Sequence, residues 1–439
     1  MIRRDFIRAA SGVGAGLALS LKGFAASEAE GKRKRSANDR INVGLIGVKN
    51  LGGKVHLPSV VGSPECQLVG ICDVDAKVAE EALNTAEGLY AEQAGKSGYK
   101  GIRTYGDFRE LLQRKDLDAV MIATPDHWHV PIAKEAIRAG LDVYVEKPLS
   151  LHIEEGRELV ELLKVHPRIL QVGSQQRSQD RFIIASEFVR NGLLGEVKHV
   201  DVSINTRPGS AEKWKPEPIP EGLDYDMWLG PAPWSDYHSD RLHYNFRFMP
   251  EISGGEIANW GAHFLDTAQM GLGTDVTGPV SVRGMGQRNP VGARHTSYFD
   301  LDVDYEYGNG VTMKLRSGKN GVTFFGTSGQ LYVNREELWT NPKDLIREYK
   351  GQQEDLAIRL RRTKGGHFQN WLACVRSRRA EDLHAPVEVG HRSATLCHLA
   401  NISIDLGRPL YWNPERESFL DDAHANALRN RPARAKWSF

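Results

Sequence analysis

The chain of 439 residues is long enough for two domains, and its composition of 40% hydrophobic and 26% charged residues is ordinary for a soluble globular protein. Its 57 basic and 56 acidic side chains give a formal net charge of +1, which predicts neither a nucleic-acid-binding surface nor a polybasic membrane patch. The four cysteines are scattered without the spacing of a metal site, and nothing in their pattern indicates a disulfide.

The N-terminus has the features of an export signal. Arg3-Arg4 precedes Phe6-Ile7, an apolar stretch of 13 residues and the small residues Ala25-Ala26-Ser27. This arrangement is typical of a twin-arginine signal, and the apolar stretch is shorter than the roughly 20 residues that span a membrane. We therefore expect residues 1–26 to direct export to the periplasm or another extracytoplasmic compartment. We expect residues 27–40 to be a flexible leader, with no membrane span after the signal is removed.

Residues 41–165 alternate apolar runs with helical patterns, as βαβ units do. The predicted strands are 41–47, 66–73, 119–124 and 142–147, and the predicted helices are 78–93, 108–114, 131–140 and 153–166. This alternation predicts an α/β fold that begins with a Rossmann dinucleotide-binding domain over residues 41–165. Ligands of such sheets collect at the carboxyl ends of the strands.

The pattern changes after residue 165. Predicted strands at 169–174 and 196–204 flank a helix at 182–195, and a Pro- and Trp-rich stretch over 206–250 is expected to be a long loop. Several further strands separated by turn residues follow, at 280–286, 297–307, 311–318 and 322–333. Residues 166–415 are thus predicted to form a C-terminal α+β domain with a large open, mainly antiparallel sheet, followed by a tail over 416–439.

The first predicted strand leads into a glycine turn, INVGLIGVKNLGG. A dinucleotide fingerprint reads G-x-G-x-x-G, and here Gly47 and Gly52 take the outer positions while Lys49 takes the middle one. Lysine there would be strained if its φ were positive, but an outward side chain would place a charge near a phosphate. Asp73, at the end of the next strand, is predicted to accept ribose hydroxyls and to favour NAD over NADP, although a strand-end turn residue is the alternative. Lys49 and Asp73 favour opposite cofactors, so NADP remains the alternative.

Three further residues have the chemistry of a redox site. Lys147, at a strand end, can hydrogen-bond a substrate hydroxyl and lower the pKa of a reacting group, or it can be an ordinary solvated lysine. Asn259 and His263 lie four apart on a predicted helix and so share a face. Histidine moves protons near neutral pH, and a capping or core histidine is the alternative.

The pair His127 and His129 has an H-x-H spacing that metal sites also use. No third ligand is placed by a recognisable pattern, and the preceding strand explains the location. We therefore predict no metal site.

Together these segments resemble the glucose–fructose oxidoreductase / inositol dehydrogenase (Gfo/Idh/MocA) family. The resemblance rests on the glycine turn, ICDVD, ATPDHWHVPIAKEAIRAG, VEKP, QVGSQQRS, the GAHFLD helix, HFQNWLACVRSR and GHRSATLCHLANISIDLGR, and it covers essentially all of the chain after residue 40. The combination of EKP with the later glycine–histidine helix is far more specific than the glycine turn alone. Exported twin-arginine sugar enzymes of bacteria have a similar arrangement.

The resemblance implies roles for individual residues. Lys147 would contact the reacting hydroxyl and the nicotinamide, His263 would be the general acid/base, and Asn259 would support the pair. Many relatives have Asp at the position of Asn259, so we expect His263 to be a weaker base. The implied cofactor-binding residues are Gly47, Lys49, Asn50, Leu51, Gly52, Asp73, Thr124, Pro125, His129, Glu146 and Lys147. The implied substrate-binding residues are Lys147, Gln175, Arg177, Arg247, Asn259 and His263.

The implied reaction is hydride transfer between a CH–OH group of a sugar, polyol or glycoside and NAD or NADP. Because free nicotinamide cofactor is scarce outside the cytoplasm, we expect an exported enzyme to hold its cofactor tightly. One alternative is a redox-neutral glycoside hydrolase that uses bound NAD, and another is a non-catalytic sugar-binding protein on the same fold. An exposed antiparallel sheet face would suit a homo-oligomer, either a dimer or a tetramer.

Overall fold

The computed structural model describes residues 39–94, 99–352 and 355–437. The chain divides into two units, residues 1–40 and 41–439. The export signal predicted for residues 1–26 lies outside the described residues, as does most of the leader predicted for 27–40. In the described part of the chain, no helix is both long and apolar enough to cross a membrane.

A six-stranded parallel sheet forms the N-terminal domain, with the strand order β3-β2-β1-β4-β5-β6. Its strands are β1 Ile41–Ile46, β2 Cys66–Cys72, β3 Arg103–Tyr105, β4 Ala119–Ile122, β5 Asp142–Val145 and β6 Leu170–Val172. Its helices are α1 Leu57–Gly62 after a π-helical turn Gly52–His56, α2 Ala76–Ala94, α3 Phe108–Leu112, α4 His129–Arg138 and α5 Ile153–Val165. Because helices cover both faces, β2 is buried along its whole length. The predicted Rossmann domain is confirmed.

The parallel sheet extends past residue 165. Strand β6 pairs with β5 through Val143–Leu170 and Val145–Val172, although the sequence pattern assigned this segment to the next domain. Three residues are too few for a periodic pattern to show which sheet a strand joins.

The C-terminal domain is built on a nine-stranded sheet with the order β13-β12-β11-β7-β10-β9-β8-β14-β15. Its strands are β7 Val197–Ile204, β8 Ser281–Gln287, β9 Phe299–Glu306, β10 Thr312–Ser317, β11 Gly321–Gly326, β12 Gly329–Val333, β13 Leu338–Asn341, β14 Leu410–Asn413 and β15 Ser418–Phe419. All pairs are antiparallel except β7 with β10. The predicted α/β fold class, with its mainly antiparallel second sheet, is confirmed.

One face of this sheet packs on helices, and the other faces outward. The helices of this domain are α6 Asp180–Arg190, α7 Tyr225–Leu229, α8 Gly255–Asn259, α9 Gly261–Leu272, α10 Leu345–Gln352, α11 Gly366–Ser377, α12 Val387–Leu406 and α13 Ala423–Ala427. Inward residues such as Val303, Leu315 and Phe324 join the largest core cluster. Outward residues include the ion pair Lys314–Asp304. Assembly into a homo-oligomer stays a prediction.

The stretch over 206–250 is not a simple loop, and we call it the cover segment. It contains α7 and two 3₁₀ turns, Ser239–Arg241 and His243–Phe248. It reaches across to the N-terminal domain, where Ala76 N donates to Gly222 O at 2.9 Å and Asp224 N donates to Val74 O at 2.9 Å.

The predicted tail over 416–439 is also packed against the fold. It contributes β15 and α13, and the buried Trp437 contacts Trp128 with ring centroids 5.5 Å apart. Arg434 donates to Asp226 Oδ1 at 2.6 Å and so joins the tail to α7 in the cover segment. The tail contains few large apolar residues, so the sequence pattern did not predict this packing.

Candidate active site

A cleft of about 1230 Å³, including its open mouth, lies along the carboxyl ends of β1, β2, β4 and β5. It is lined by twelve of the residues singled out from the sequence, namely Gly47, Lys49, Asn50, Leu51, Asp73, Thr124, Pro125, His129, Glu146, Lys147, Arg247 and Asn259. Gly52, Gln175, Arg177 and His263 are not part of the lining. Strand ends therefore gather most of the predicted residues, as expected for an open α/β sheet.

The glycine turn leaves no room for side chains at its outer positions. Gly47 has a φ of +81°, and a Cβ there would lie 2.8 Å from the backbone of Ala123. A Cβ on Gly52 would lie 2.0 Å from the carbonyl oxygen of Gly47. The φ of Lys49 is not positive, so the middle position accepts a side chain without strain. The lysine ammonium pairs with Glu81 on α2 at 3.1 Å.

Asp73 follows β2 and is held by two backbone amides. Its Oδ2 accepts from Val48 N at 2.9 Å, and its Oδ1 accepts from Asp75 N at 3.1 Å. Burial raises the pKa of Asp73 to about 6, although these backbone hydrogen bonds act to lower it. A carboxylate in this place can still accept hydroxyl donors on its remaining lone pairs.

The end of β4 supplies a buried hydroxyl with no partner. Thr124 Oγ1 is buried, has no hydrogen-bond partner among the described residues, and belongs to a residue that lines the cleft. His129 contacts Thr124 O at 2.9 Å and Pro148 O at 2.6 Å, and thereby joins the ends of β4 and β5. His127 instead contacts Trp228 O at 3.0 Å, so the two histidines of the H-x-H pair contact different carbonyl groups.

Glu146 is a buried residue of the cleft wall with both carboxylate oxygens engaged. Its Oε1 is 2.9 Å from His56 Nε2 and accepts from Gln175 Nε2 at 2.7 Å, while its Oε2 accepts from Lys147 N at 3.2 Å. Burial acts to raise the pKa of Glu146, but the hydrogen bond with His56 and the charges of His56, Lys147 and His129 together outweigh it, and the pKa is lowered overall. Gln175 thus reaches the cleft only through Glu146.

The ammonium of Lys147 is held by a single residue. Its Nζ donates to the carbonyl oxygen of Asn259 at 3.0 Å and to Asn259 Oδ1 at 3.1 Å. Burial lowers the pKa of Lys147, Glu146 opposes this, and the charge of Arg247 lowers the pKa further. An ammonium has three donors, so one N–H remains for a ligand in the cleft.

The carbonyl of Asn259 is available because the helix is interrupted there. The pattern predicted one helix through this region, but α8 ends at Asn259 and α9 begins at Gly261. His263 N donates to Trp260 O at 3.0 Å, whereas a regular α-helix would direct it to the oxygen of Asn259. The expected support of His263 by Asn259 is therefore replaced by a contact with Lys147, and Asn259 Nδ2 donates to Glu256 Oε2 at 2.7 Å.

His263 is buried beside this group rather than in the cleft lining. Its Nδ1 is buried and has no partner among the described residues. Burial, together with the charges of Lys147 and Arg335, holds the pKa of His263 well below its usual value. The imidazole is therefore neutral at physiological pH and able to accept a proton.

Arg177 does not reach the cleft. Its guanidinium is buried in a bidentate pair with Asp266, at 2.8 Å from Nε to Oδ2, and also binds Asp275 at 2.6 Å. Asp266 lies on α9 and is fully buried, and a buried carboxylate requires a cation. The predicted substrate contact by Arg177 is therefore corrected to a structural ion pair, and the motif QVGSQQRS gave no sign of this partner.

The family resemblance also implied that the Trp-rich stretch borders the substrate pocket, and the cover segment lines the cleft, although sequence reasoning named only Arg247 of it as a site residue. Leu223, Met227, Trp228, Leu242, His243 and Phe246 also line the cleft. The only sequence signal was the high Trp and Pro content of this stretch. Asp126 and Ser253 were also missed, and Ser253 Oγ donates to Asp126 Oδ2 at 2.7 Å.

Two family models match this chain. The NAD-binding Rossmann fold of the oxidoreductase family (GFO_IDH_MocA) matches residues 41–174, and its C-terminal alpha/beta domain (GFO_IDH_MocA_C2) matches residues 186–439. The chain belongs to the Gfo/Idh/MocA oxidoreductase family. Within this family the N-terminal domain is an NAD-binding domain, which agrees with the cleft geometry, and the predicted family is confirmed.

Curated relatives of this Gfo/Idh/MocA protein match over part of their length. It is 28% identical over 192 residues to the uncharacterized oxidoreductase YdgJ of Escherichia coli strain K12, covering 43% of this chain and 51% of that protein. It is 34% identical over 215 residues to glycosyl hydrolase family 109 protein 2 of Shewanella sp. strain ANA-3, covering 45% of this chain and 44% of that protein. The chain thus spans about half the length of these two curated relatives.

Solved structures share the fold of this Gfo/Idh/MocA protein at low identity. The WlbA dehydrogenase of Bordetella pertussis, solved in complex with NADH and UDP-GlcNAcA, has a TM-score of 0.62 and 19% identity, covering 86% of this chain and 99% of that chain. The aldose-aldose oxidoreductase of Caulobacter crescentus, solved with glycerol, has a TM-score of 0.61 and 17% identity, covering 85% and 99%. These similarities establish the fold.

Proposed function

We propose that the protein is an exported oxidoreductase that transfers hydride between a CH–OH group of a carbohydrate and a tightly held NAD. The observation that carries this proposal is the ammonium of Lys147, which lines the cleft and is fixed by both oxygens of Asn259 at 3.0 and 3.1 Å. A group fixed in this way has one donor left to orient a substrate hydroxyl.

The residues of the cleft fit a dinucleotide. The turn at Gly47 and Gly52 excludes any Cβ, so the backbone can approach a pyrophosphate closely. The unpartnered Thr124 Oγ1 offers a hydroxyl donor, and Asp73 offers an acceptor for ribose hydroxyls. Bound NAD supplies the hydride acceptor, and the protein supplies position and proton handling.

Lys147 and His263 divide the proton handling. Lys147 donates a hydrogen bond to the reacting hydroxyl, and its positive charge stabilises the oxyanion that develops there. His263 is neutral, and we assign its imidazole as the acceptor for the proton that leaves the hydroxyl. Asn259 acts through Lys147 as a positioning residue.

The charges at one end of the cleft favour NAD over NADP. Backbone hydrogen bonds at the same end favour tight binding of the cofactor. Asp73 and Asp75 line the ribose end of the cleft and repel a 2′-phosphate, and Glu81 neutralises Lys49. The cover segment pairs with residues 74–76 by backbone hydrogen bonds at that same end. Opening this wall breaks those bonds, so release of the dinucleotide is slow.

The test begins with protein purified after export. We expect mass spectrometry of the denatured protein to show close to one NAD per chain, and a panel of sugars to reduce it. Lys147→Met should keep the NAD but lose turnover by about 10² to 10⁴-fold, the usual contribution of a positioned proton-handling group. Lys319→Met, on an exposed lysine that pairs only with Glu337, serves as control. Protein that neither carries nor binds a dinucleotide would refute the proposal.

A second candidate is a redox-neutral glycoside hydrolase that uses bound NAD. The 34% identity to a glycosyl hydrolase family 109 protein favours it. Cleavage of a nitrophenyl glycoside without net accumulation of NADH would select this function. A purely sugar-binding role is disfavoured, because Asn259 has a defined partner in Lys147 and the φ of Lys49 is not positive.

A further inference from the structure

One end of the cleft, next to Lys147, carries a stacked arginine with unused donors. The guanidinium of Arg247 lies 3.8 Å from the ring centroid of Tyr244, and its Nε donates to Tyr244 O at 2.7 Å. Its two Nη atoms donate to no described residue, and Arg247 lines the cleft. The stacking fixes the plane of the guanidinium, so the free edge is presented in a defined direction.

Two more arginines lie near this end of the cleft without lining it: Arg207 contacts Tyr244, and the charge of Arg335 acts on Lys147. Arg207 Nη2 donates to the hydroxyl oxygen of the same tyrosine, Tyr244, at 2.7 Å. The guanidinium of Arg335 lies 5.1 Å from the ring centroid of Trp260. No described carboxylate forms an ion pair with Arg247 or Arg335 within 4.0 Å. Aromatic rings, not acids, support both guanidinium groups.

The carboxylates of this region are already engaged elsewhere. Asp126 accepts from Ser253 Oγ at 2.7 Å and from Gly254 N at 3.2 Å. Glu146 is occupied by its contacts with His56 and Gln175. Both carboxylates are thus engaged by hydrogen bonds, and their charges act to raise the pKa of Lys147 without forming an ion pair with Arg247.

Glu256 is the third nearby carboxylate. It accepts from Asn259 Nδ2 at 2.7 Å, and its other oxygen lies 3.6 Å from Arg207. Arg247 thus lines the cleft with no paired carboxylate among the described residues. Burial and the charges of Arg247 and Arg335 act to lower the pKa of Lys147, while Glu146 and Asp126 act to raise it. Repulsion among the cations is relieved when an anion binds.

We propose that this end of the cleft binds a carboxylate of the substrate through the free edge of Arg247, so that the carbohydrate is a uronic acid or a glycoside of one. A planar carboxylate matches two parallel N–H donors of a guanidinium. The inference rests on the proposed function, since it names the substrate class of that same site.

The test compares matched sugars on protein loaded with NAD. Calorimetry with D-glucuronate against D-glucose, and D-galacturonate against D-galactose, should show the uronate of at least one pair bound about tenfold or more tightly, as charge-assisted hydrogen bonds predict. Arg247→Gln should lower the affinity for the uronate more than that for the neutral sugar and so abolish the preference, and Arg247→Lys should retain part of it. Arg347→Gln, an exposed arginine that pairs with Asp344, is the control and should change nothing.

Each outcome separates this inference from the proposed function. Protein that binds no dinucleotide refutes the proposed function before any sugar is added. Protein that binds NAD but prefers neutral sugars, or loses both affinities equally in Arg247→Gln, overturns the carboxylate site alone. Tighter binding of glucose 6-phosphate than of either uronate also overturns it, in favour of a phosphate ligand. If Arg247→Gln does not fold, Arg247→Lys, which keeps the charge but not the planar pair of donors, provides the comparison, with a partial loss of the preference expected.

Discussion

Asn259 holds the ammonium of Lys147 with neutral acceptors, and this choice of residue affects the charge of the site. A carboxylate in its place would stabilise the ammonium and raise the pKa of Lys147. The amide leaves Lys147 in an environment where burial and Arg247 lower its pKa. The amide expected to weaken His263 thus contacts Lys147 instead, and the lowered pKa makes the ammonium a stronger hydrogen-bond donor to the reacting oxygen.

Asp73 gives cofactor binding a defined pH dependence. Its pKa in the folded protein is about 6, above the 3.8 of an unperturbed carboxyl, because burial disfavours the charge. In the cofactor-free protein, this raised pKa favours folding when the carboxyl is protonated, and that contribution is lost as the pH rises through about 6. Ribose hydroxyls need the ionised form as acceptor, so the effect on cofactor binding has the opposite sign.

We therefore predict that affinity for NAD falls as the pH drops through about 6, by up to about tenfold for each pH unit below it. Titration of NAD into cofactor-free protein between pH 5 and 8 measures this. Asp73→Asn should bind NAD more weakly and show no such dependence, while Asp304→Asn on the outward face of the second sheet should behave as the wild type. A pH-independent wild-type affinity would contradict the assignment of Asp73.

At the scale of elements, the glycine turn joins β1 to the first helix and depends on close backbone contact. A Cβ at position 47 would meet the backbone of Ala123 at 2.8 Å, and the φ of +81° is unfavourable for any other residue. The contacted atoms belong to the backbone, so no flexible side chain can move aside to make room. The end of β4 would have to shift, and with it Thr124.

We predict that Gly47→Ala lowers the free energy of unfolding by about 1–3 kcal/mol and weakens NAD binding, because strain and a displaced β4 act together. Urea denaturation and NAD titration measure the two effects. Gly62→Ala is the matched control, since its Cβ would meet nothing within 4 Å and its φ is not positive. The control should be neutral or slightly stabilising. Equal effects of the two substitutions would show that the turn is not constrained as described.

Elements with a continuous apolar run could be predicted from the sequence, and irregular ones could not. Strands β1, β2, β4 and β5 are buried on both faces, so their composition alone identified them together with the residues at their ends. The break between α8 and α9 leaves the apolar periodicity unchanged, because one turn changes its hydrogen bonds and not its side chains. The partner of Asn259 was therefore hidden, as was the pair that removes Arg177 from the cleft.

At the scale of the whole molecule, distant parts of the chain close the cleft. Met227 and Trp228 of α7, in the cover segment, line the cleft. The C-terminal tail contacts α7 and holds it in place. Arg434 donates to Asp226 Oδ1, to Asp226 O and to Gly230 O, at 2.6 to 2.8 Å. No local sequence signal links residues more than 200 positions apart, so this arrangement required the structure.

Arg434 should therefore control how fast the dinucleotide leaves. Arg434→Ala removes three hydrogen bonds that hold both ends of α7, and local opening becomes easier by the free energy of those bonds. We predict that bound NAD is released about tenfold faster or more, as measured by exchange against labelled NAD. The free energy of local opening of α7, measured by hydrogen exchange, should fall more than the global free energy of unfolding. Lys436→Ala is the matched control, because Lys436 binds the same Asp226 through a 70% exposed side chain, and exposed pairs contribute about 1 kcal/mol or less. If the two variants release NAD at the wild-type rate, the tail does not secure the cover segment, and any slow release must come from the glycine turn and Asp73.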